Sequence, residues 1–309
     1  MTKNDKYTRR EALKIGAAAT STMAVAMATN TAQAIEPIAR GGRPKFKFSL
    51  AAYSYRDLFK PNNRFTKEAL TLYDFADDCA KMQLEGTELT SYYFPSPVTN
   101  EYLADLRRHC FRLGLDVSGT AVGNDFCHPA GPRRDREIAS VKQWIDHSAV
   151  LGAPVIRIFS GSVKPQQTPA EAHRLAIAAI EECCAYAGQR GIHLALENHG
   201  GLTATAAGML KLVKDVQSPW FGVNFDSGNF RGEDVYAELA EIAPYAINAQ
   251  IKVVVSPAKQ KKQPADFERL AKILRDTGYR GYIVLEYEEP GDPRTECPKY
   301  TEQLREAFG

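Results

Sequence analysis

The 309-residue sequence lacks the signatures of several protein classes. Its six cysteines show no CxxC or zinc-finger spacing, which argues against a structural zinc site. Lysine and arginine number 39 against 37 aspartates and glutamates, so the net charge of +2 indicates neither nucleic acid nor an acidic membrane as a partner. Hydrophobic residues make up 44% and charged residues 25%, which is typical of a soluble globular chain with a large core.

The cysteines are expected to be small buried residues rather than disulfide partners. Most of them fall in predicted helices or strands, where an unpaired cysteine packs like a small hydrophobic side chain. The six positions are Cys79, Cys110, Cys127, Cys183, Cys184 and Cys297. The sequence leaves open whether an oxidising compartment would pair any of them.

The N-terminal segment, residues 1–34, resembles an export signal of the twin-arginine (Tat) type. Arg9 and Arg10, in TRREALK, precede a weakly apolar run that ends in the small-residue cleavage pattern AQA, closing at Ala34. The run is too short and too polar to span a bilayer stably. We therefore expect a periplasmic protein with no membrane span after cleavage, and a linker over residues 35–45.

From residue 46 onward, strand and helix patterns alternate along the chain. Eight segments read as buried strands: 46–53, 85–91, 115–122, 154–160, 192–198, 220–226, 246–253 and 281–287. Amphipathic segments of helical length include 66–82, 99–113, 134–151, 168–190 and 264–277, and long loops are expected at 124–136 and 256–266.

Eight β/α units in roughly 260 residues predict an α/β fold of one domain, a (β/α)8 TIM barrel over residues 46–309. Glycines punctuate the turns from helix to strand, as in RLGLDV and QRGIHLAL, because glycine readily ends a helix in the left-handed conformation. The main alternative is an open, doubly wound sheet. That fold usually has a glycine-rich phosphate loop after its first strand, and AAYSYRD contains none.

Side-chain alternation predicts a polar cluster inside the barrel. In the last four strands the apolar set must face the helices, so the polar set faces inward. Four polar side chains then lie near the C-terminal strand ends, each about one β/α unit from the next: Glu197, Asp226, Gln250 and Glu286. Helix capping or salt bridges are the structural alternative. Carboxylates this close repel one another strongly, and a divalent cation such as Mn²⁺ or Mg²⁺ would relieve the repulsion.

The motifs around these residues resemble those of the xylose isomerase-like TIM barrels, the sugar phosphate isomerase/epimerase group that includes ketose 3-epimerases. ALENHGG, NFDSGN, NAQIKV and IVLEYE are similar to the metal-ligand motifs, and SLAAYSYRD, GTELTSYYF, GNDFCHP and LGAPVIRIFSG also look like this group. The resemblance covers most of residues 46–309. It implies one divalent ion (Mn²⁺ first, then Mg²⁺ or Co²⁺) on Glu197, Asp226, Gln250 and Glu286.

The resemblance also implies chemistry next to a sugar carbonyl. A metal would polarise the carbonyl, while Glu197 and Glu286 would remove and return a proton through an enediolate. Return of the proton gives an epimerase or isomerase, which is the expected activity, and loss of a β-oxygen substituent gives a lyase acting on keto-glycosides. Export favours free sugars or keto-glycosides over phosphorylated sugars. Gln250 and Asn229 stand where the epimerases have histidines, and Asn229 matches a substrate-contacting one.

Further residues on the same rim are candidates for substrate binding. Arg157 and Glu88 face inward, where a charge needs a partner, and they could pair with each other instead. Lys252 could stabilise an oxyanion, and His199 and His128 lie in loops at the C-terminal rim. Four tyrosines could form a sugar-stacking wall or pack in the core: Tyr53, Tyr55, Tyr92 and Tyr93. Of these, Tyr53 is predicted to bind substrate.

Two other functions would use the same barrel. An apurinic endonuclease would need several metals, many histidines and a basic DNA-binding face, whereas this sequence has six histidines in all. A non-catalytic sugar-binding barrel would bind sugar without a metal. The expected partner is a small sugar or keto-glycoside, and the oligomeric state, including a homo-oligomer, is left open.

Overall fold

A closed barrel of eight parallel strands forms the centre of the part of the chain that the structure describes. The computed structural model describes residues 34–309, so the predicted export signal lies outside it except for Ala34. Strands β1 to β8 are Lys45–Ala51, Gly86–Thr90, Asp116–Ala121, Val155–Ile158, His193–Glu197, Phe221–Asp226, Ala246–Lys252 and Arg280–Glu286. Each strand pairs with its sequence neighbour, and β8 closes the barrel on β1. The predicted (β/α)8 fold is confirmed.

Over residues 34–309, eight α-helices cover the outside of the barrel. Helices α1 to α8 are Leu72–Lys81, Asn100–Arg112, Pro132–Leu151, Pro169–Gly188, Ala206–Asp215, Val235–Ile242, Phe267–Asp276 and Pro293–Phe308. None of the described helices is long and apolar enough to cross a membrane.

Local capping chemistry sets the helix starts that the periodic pattern misplaced. The helix predicted over 66–82 begins only at Leu72, because Thr71 and Asp74 exchange hydrogen bonds in a capping box. The loop predicted over 124–136 ends early, since Pro132 occupies the first turn of α3, where proline fits well. The long loop predicted after β7 contains a short antiparallel pairing of Val254–Val255 with Gln263–Pro264.

Apolar contact between the strands and the helices supplies the core. On β5, Leu194 and Leu196 are fully buried on the outward face, and Val223 and Phe225 do the same on β6. The helices present apolar side chains three and four residues apart, as expected for a half-buried helix. Each such side chain contributes about 1.5–3 kcal/mol by leaving water. Because this outer layer supplies so much apolar burial, the barrel interior can hold polar groups.

The segment before β1 lies along the N-terminal end of the barrel. Ile38 donates its backbone N–H to the Pro244 carbonyl at 3.0 Å, and the Arg40 guanidinium donates to the Ala246 carbonyl. Ala34 forms an antiparallel bridge with Gln217. The strand β1 starts at Lys45, one residue before the predicted start of the barrel.

All six cysteines are unpaired and buried, so we expect thiol reagents to reach them only after unfolding. Titration with a chromogenic disulfide such as DTNB should find essentially no fast-reacting thiol in the native protein. In denaturant without reductant, it should find six. A count of four in unreduced, denatured protein isolated from an oxidising compartment would contradict this expectation, because two thiols would then be in a disulfide.

Candidate active site

The C-terminal ends of the strands enclose a cavity of about 210 Å³. Its lining includes three carboxylates, two cations and several rings: Tyr53, Tyr92, Arg157, Phe159, Glu197, His199, Lys252, Glu286 and Glu288. Strand register contributes to this convergence, because Glu286 on β8 is level with Lys252 on β7. The structure thus brings together seven of the side chains singled out in the sequence: Tyr53, Tyr92, Arg157, Glu197, His199, Lys252 and Glu286.

Beneath the cavity, four buried polar side chains form a closed ring of hydrogen bonds. Asn248 Nδ2 donates to Glu88 Oε2 at 2.9 Å and to Asn224 Oδ1 at 2.8 Å. Gln250 Nε2 donates to Glu88 Oε1 at 2.5 Å, and Gln250 Oε1 accepts from Asn224 Nδ2 at 2.6 Å. Burial, and then the charge of Glu286, raise the pKa of Glu88 to about 7 despite these hydrogen bonds. Both oxygens of Glu88 and both amide atoms of Gln250 are engaged inside the ring.

Glu197, the residue that ends β5, has a partner on each carboxylate oxygen. Asn229 Nδ2 donates to Oε1 at 2.7 Å, and Arg157 Nε lies 2.9 Å from Oε2. The Arg157 N–H is not aligned for a hydrogen bond, and Nε has no hydrogen-bond partner, so this contact is chiefly a charge–charge attraction. Glu197 is 4% exposed, and its carboxylate is therefore held in place from two sides.

Arg157 on β4 pairs with Glu197 rather than with Glu88. Its Nη1 donates to the Val122 carbonyl at 2.9 Å, and the guanidinium lies 4.0 Å from the centre of the Phe159 ring. Burial alone would lower the pKa of Arg157, but the Glu197 carboxylate raises it above its ordinary value. Arg157 is thus a permanent cation in the wall of the cavity.

Lys252, the last residue of β7, places its ammonium group among oxygen atoms. It donates a hydrogen bond to Asn229 Oδ1 at 3.0 Å. Three carboxylate oxygens lie 3.3 to 3.4 Å from Nζ, those of Asp226, Glu286 and Glu288. Burial opposes the charge, but these carboxylates raise the pKa of Lys252 well above its ordinary value.

The carboxyl groups around Lys252 are short of strong partners. Asp226 Oδ1 accepts from the Gly228 N–H at 2.8 Å, while Asp226 Oδ2 is buried with no hydrogen-bond partner. Burial raises the pKa of Asp226 to about 7, with Lys252 acting in the opposite direction. Burial also raises the pKa of Glu197 and of Glu286, since neither carboxylate is fully compensated by its cation. The site therefore holds more carboxyl groups than cationic side chains.

The four predicted metal ligands do not form a ligand set as they are placed. Gln250 is committed to the ring, and both oxygens of Glu197 face a cation or an amide. Asp226 and Glu286 keep oxygens that could take a cation, but the Lys252 ammonium lies against them. Over residues 34–309, no three His, Cys, Asp or Glu side chains are placed to hold a metal ion. The metal-ligand roles stay a prediction of the resemblance.

The remaining candidates lie at different depths. His199 and Tyr53 line the cavity, and the His199 ring lies 4.5 Å from that of Phe159. Burial lowers the pKa of His199 and raises that of Tyr53. Asn229 lies behind the wall and contacts Glu197, whereas Glu88 lies in the ring below. His128 is not among the described residues of the lining. Their roles in substrate binding stay predictions.

Two lining residues, Glu288 and Phe159, were not proposed as site residues from the sequence, and Tyr92 was named there only as one of four tyrosines that could form a wall. Glu288 shares the inward parity of Glu286 but lies two residues past it, beyond the strand end. Parity was the signal that could have identified it. Phe159 and Tyr92 occupy loop or turn positions just after β4 and β2, for which alternation along a strand gives no direction.

A larger cavity, of about 670 Å³, lies at the opposite end of the barrel, between residues 34–40 and the strand starts. Its walls are mainly apolar, with Ile35, Phe221 and Ile247 among the residues described there. None of the sequence-predicted site residues is among the described residues that line it. Glu36 and His193 line the larger cavity, but the three carboxylates and two cations described above converge on the smaller one, at the end where TIM barrels carry their active sites.

Comparisons with known proteins match most of the barrel. The profile of the family described as "Xylose isomerase-like TIM barrel" matches residues 76–307. No curated protein matches the sequence significantly. Solved structures similar to this chain include a D-psicose 3-epimerase from Clostridium cellulolyticum H10, at a TM-score of 0.70 and 14% identity over 85% of this chain and 99% of that one.

Two further similar structures come from other bacteria. A xylose isomerase domain protein from Planctomyces limnophilus has a TM-score of 0.65 and 18% identity, covering 86% of this chain and 98% of its own. The probable 3-DHS dehydratase AsbF from Bacillus anthracis has a TM-score of 0.64 and 17% identity, covering 84% and 98%. At these identities the likeness concerns the fold.

Removing one member of the buried ring should destabilise the barrel. In Asn248→Ala, Glu88 Oε2 and Asn224 Oδ1 lose their donor, and each buried unpaired group costs about 1–3 kcal/mol. Urea unfolding should show this loss, while the exposed control Asn100→Ala should stay within about 0.5 kcal/mol of the wild type. If both variants unfold like the wild type, the ring does not hold the barrel together.

Proposed function

The chain belongs to the xylose isomerase-like TIM barrel family, and from that premise we propose that it is a sugar isomerase or epimerase acting next to a carbonyl. The observation that carries the proposal is the pairing of Glu197 and Glu286 in one small cavity. Both are almost fully buried, at 4% and 6% exposure. Each lies beside a cation that lines the same cavity, Arg157 for Glu197 and Lys252 for Glu286. A carboxylate pair of this kind can remove and return a proton.

The proposed reaction conserves protons within the site. One of the two glutamates, ionised, takes the proton from the carbon next to the carbonyl. The electrons of that C–H bond form the double bond of an enediolate, and the carbonyl oxygen gains the negative charge. The other glutamate, protonated, gives its proton to carbon. Delivery to the opposite face inverts the carbon. Delivery to the neighbouring carbon moves the carbonyl, and in that case the hydroxyl proton of the first carbon passes to the enediolate oxygen.

Two cations are placed to balance the charge of the enediolate. Lys252 and Arg157 line the cavity with the glutamates, and fixed charges aimed at a developing oxyanion are a large source of rate enhancement. His199 and Tyr53 are proposed to bind sugar hydroxyls. Asn229 is proposed to hold Glu197 in position, since it bonds that carboxylate and Lys252 at once.

The proton transfer proposed here does not require a divalent ion. The resemblance implies Mn²⁺, with Mg²⁺ or Co²⁺ as alternatives, on Glu197, Asp226, Gln250 and Glu286. Glu197 and Gln250 already bond to other protein groups, so they are not free to coordinate a metal in this arrangement.

The size of the cavity favours a small substrate. Its volume is about 210 Å³, against about 670 Å³ for the cavity at the opposite end of the barrel. We therefore propose a single free sugar as the enclosed substrate. A lyase acting on keto-glycosides is the second candidate, because the similar structures include a probable dehydratase beside the epimerase. In that case the leaving group would extend past Glu288, the partly exposed carboxylate of the lining.

The test is proton exchange in D₂O. Incubation with a panel of ketoses should place deuterium on the carbon next to the carbonyl. Glu197→Gln and Glu286→Gln should each lower the exchange rate at least ~100-fold, because each removes a group that moves the proton. The matched control is Glu233→Gln, a carboxylate 80% exposed outside the cavity, which should exchange like the wild type.

A parallel panel of keto-glycosides separates the two candidates. NMR of the products should show an epimer or an isomer for the first candidate, and a released aglycone with an unsaturated sugar for the second. Absence of exchange and of elimination across both panels, with and without added Mn²⁺, would refute the proposed chemistry.

We also propose that residues 1–34 direct export by the twin-arginine route and are removed after Ala34. Replacing Arg9 and Arg10 together by Lys should abolish periplasmic accumulation in a Tat-competent bacterial host, because the route reads the arginine pair. Lys14→Arg, outside the pair, is the control. Unchanged export of the double variant, or a mature N-terminus other than Ile35, would contradict this assignment.

A further inference from the structure

The ammonium group of Lys252 lies among the carboxylates of the candidate site. Lys252 is only 7% exposed, and a buried ammonium needs partners for its three N–H donors. Asn229 Oδ1 takes one at 3.0 Å. The oxygens of Asp226 and Glu286 both lie at 3.4 Å, so the ammonium lies between two of the four predicted metal ligands.

The stretch Asp226–Asn229 is shaped to hold this lysine. The backbone N–H of Lys252 donates to Ser227 Oγ at 2.8 Å. A Cβ at Gly228 would lie 2.7 Å from Lys252 Cδ and 2.8 Å from its Cβ, closer than atoms of this kind approach, so the glycine leaves room for the lysine stem. Asn229 then accepts from the ammonium. Four consecutive residues thus each contact Lys252, from its backbone to its charged end.

The other two predicted metal ligands already bond to groups within the protein. Gln250 bonds to Glu88 and Asn224 in the ring, and Glu197 lies between Arg157 and Asn229. A divalent ion on all four side chains would have to displace these partners as well as the ammonium. The lysine alone already compensates part of the negative charge that was expected to require a metal.

We infer that Lys252 is the resident cation of this site and supplies the electrophilic assistance that the family resemblance assigns to a divalent metal. The inference rests on the proposed carbonyl chemistry and makes Lys252 a catalytic residue. Its ammonium donates a hydrogen bond to the carbonyl oxygen of the substrate and to the enediolate oxygen that replaces it. No bond to Lys252 forms or breaks, and its protons stay on nitrogen.

The first experiment uses the wild-type protein. Elemental analysis after purification without chelator should find well under one divalent ion per chain, and EDTA should leave deuterium exchange into the responsive ketose unchanged. One tightly held Mn²⁺, Mg²⁺, Zn²⁺ or Co²⁺ per chain, together with loss of exchange in EDTA that the metal restores, would overturn the inference.

The second experiment uses variants. Lys252→Met should lower the exchange rate at least ~100-fold, as removal of one oxyanion donor does in other enzymes. Lys252→Arg should retain more of the rate, because the charge remains. Gly228→Ala should lower it as well, since the added methyl group displaces the lysine stem. Lys211→Met, at an exposed surface lysine, is the matched control.

A readout independent of turnover is the shift in melting temperature caused by Mn²⁺. The wild type should show none, whereas Lys252→Met should be stabilised, because its carboxylates have lost their cation and can bind the ion. Stabilisation of the wild type with no gain in the variant would count against the inference, as would full exchange activity in Lys252→Met.

These measurements separate two kinds of failure. If no substrate exchanges, the proposed function fails, but metal content and the Mn²⁺ shift still test the resident cation. If Lys252→Met does not fold, as shown by its circular dichroism spectrum, the wild-type metal content and EDTA response decide the question.

Discussion

The burial of carboxylates inside the barrel imposes the constraint that the rest of the site satisfies. A carboxylate removed from water costs several kcal/mol unless cations and hydrogen-bond donors replace its solvation. Glu88, Glu197, Asp226 and Glu286 are all nearly or fully buried. Amide groups donate to both oxygens of Glu88, and Arg157 and Asn229 contact the two oxygens of Glu197. Asp226 and Glu286 share the ammonium group of Lys252. Compensation thus decreases toward the cavity, where a substrate or a proton can complete it.

The two polar layers have different tasks. In the lower ring both oxygens of Glu88 and both amide atoms of Asn224 and Gln250 are hydrogen-bonded, and Asn248 Nδ2 donates twice, so the ring forms a rigid floor. The upper layer contains an orphaned oxygen on Asp226 and long contacts to Lys252, so it keeps unused binding capacity. The outer apolar layer makes this possible, because packing between strands and helices supplies the apolar burial that stabilises the fold.

Much of this architecture could be predicted from the sequence. The predicted strands agree with β1 to β8 within about two residues at each end, because apolar alternation and glycine junctions are local signals. The alternation of side chains along each strand also identified inward residues correctly, including Glu88 and Gln250. It could not choose partners, since parity gives the direction of a side chain and not its length, tilt or rotamer. Alternation therefore left Glu88 as one alternative partner of Arg157, and the structure pairs Arg157 with Glu197. Glu288 was missed because it lies where the strand pattern has ended.

The close approach of Gly228 to Lys252 ties two positions that are 24 residues apart in the chain. Any side chain at 228 would meet Cδ and Cβ of the lysine at 252 and the backbone oxygen of Val254. The lysine therefore requires the glycine, whereas a shorter residue at 252 would still present its Cβ to position 228. Among descendants of this barrel, the glycine should be retained wherever the lysine is retained.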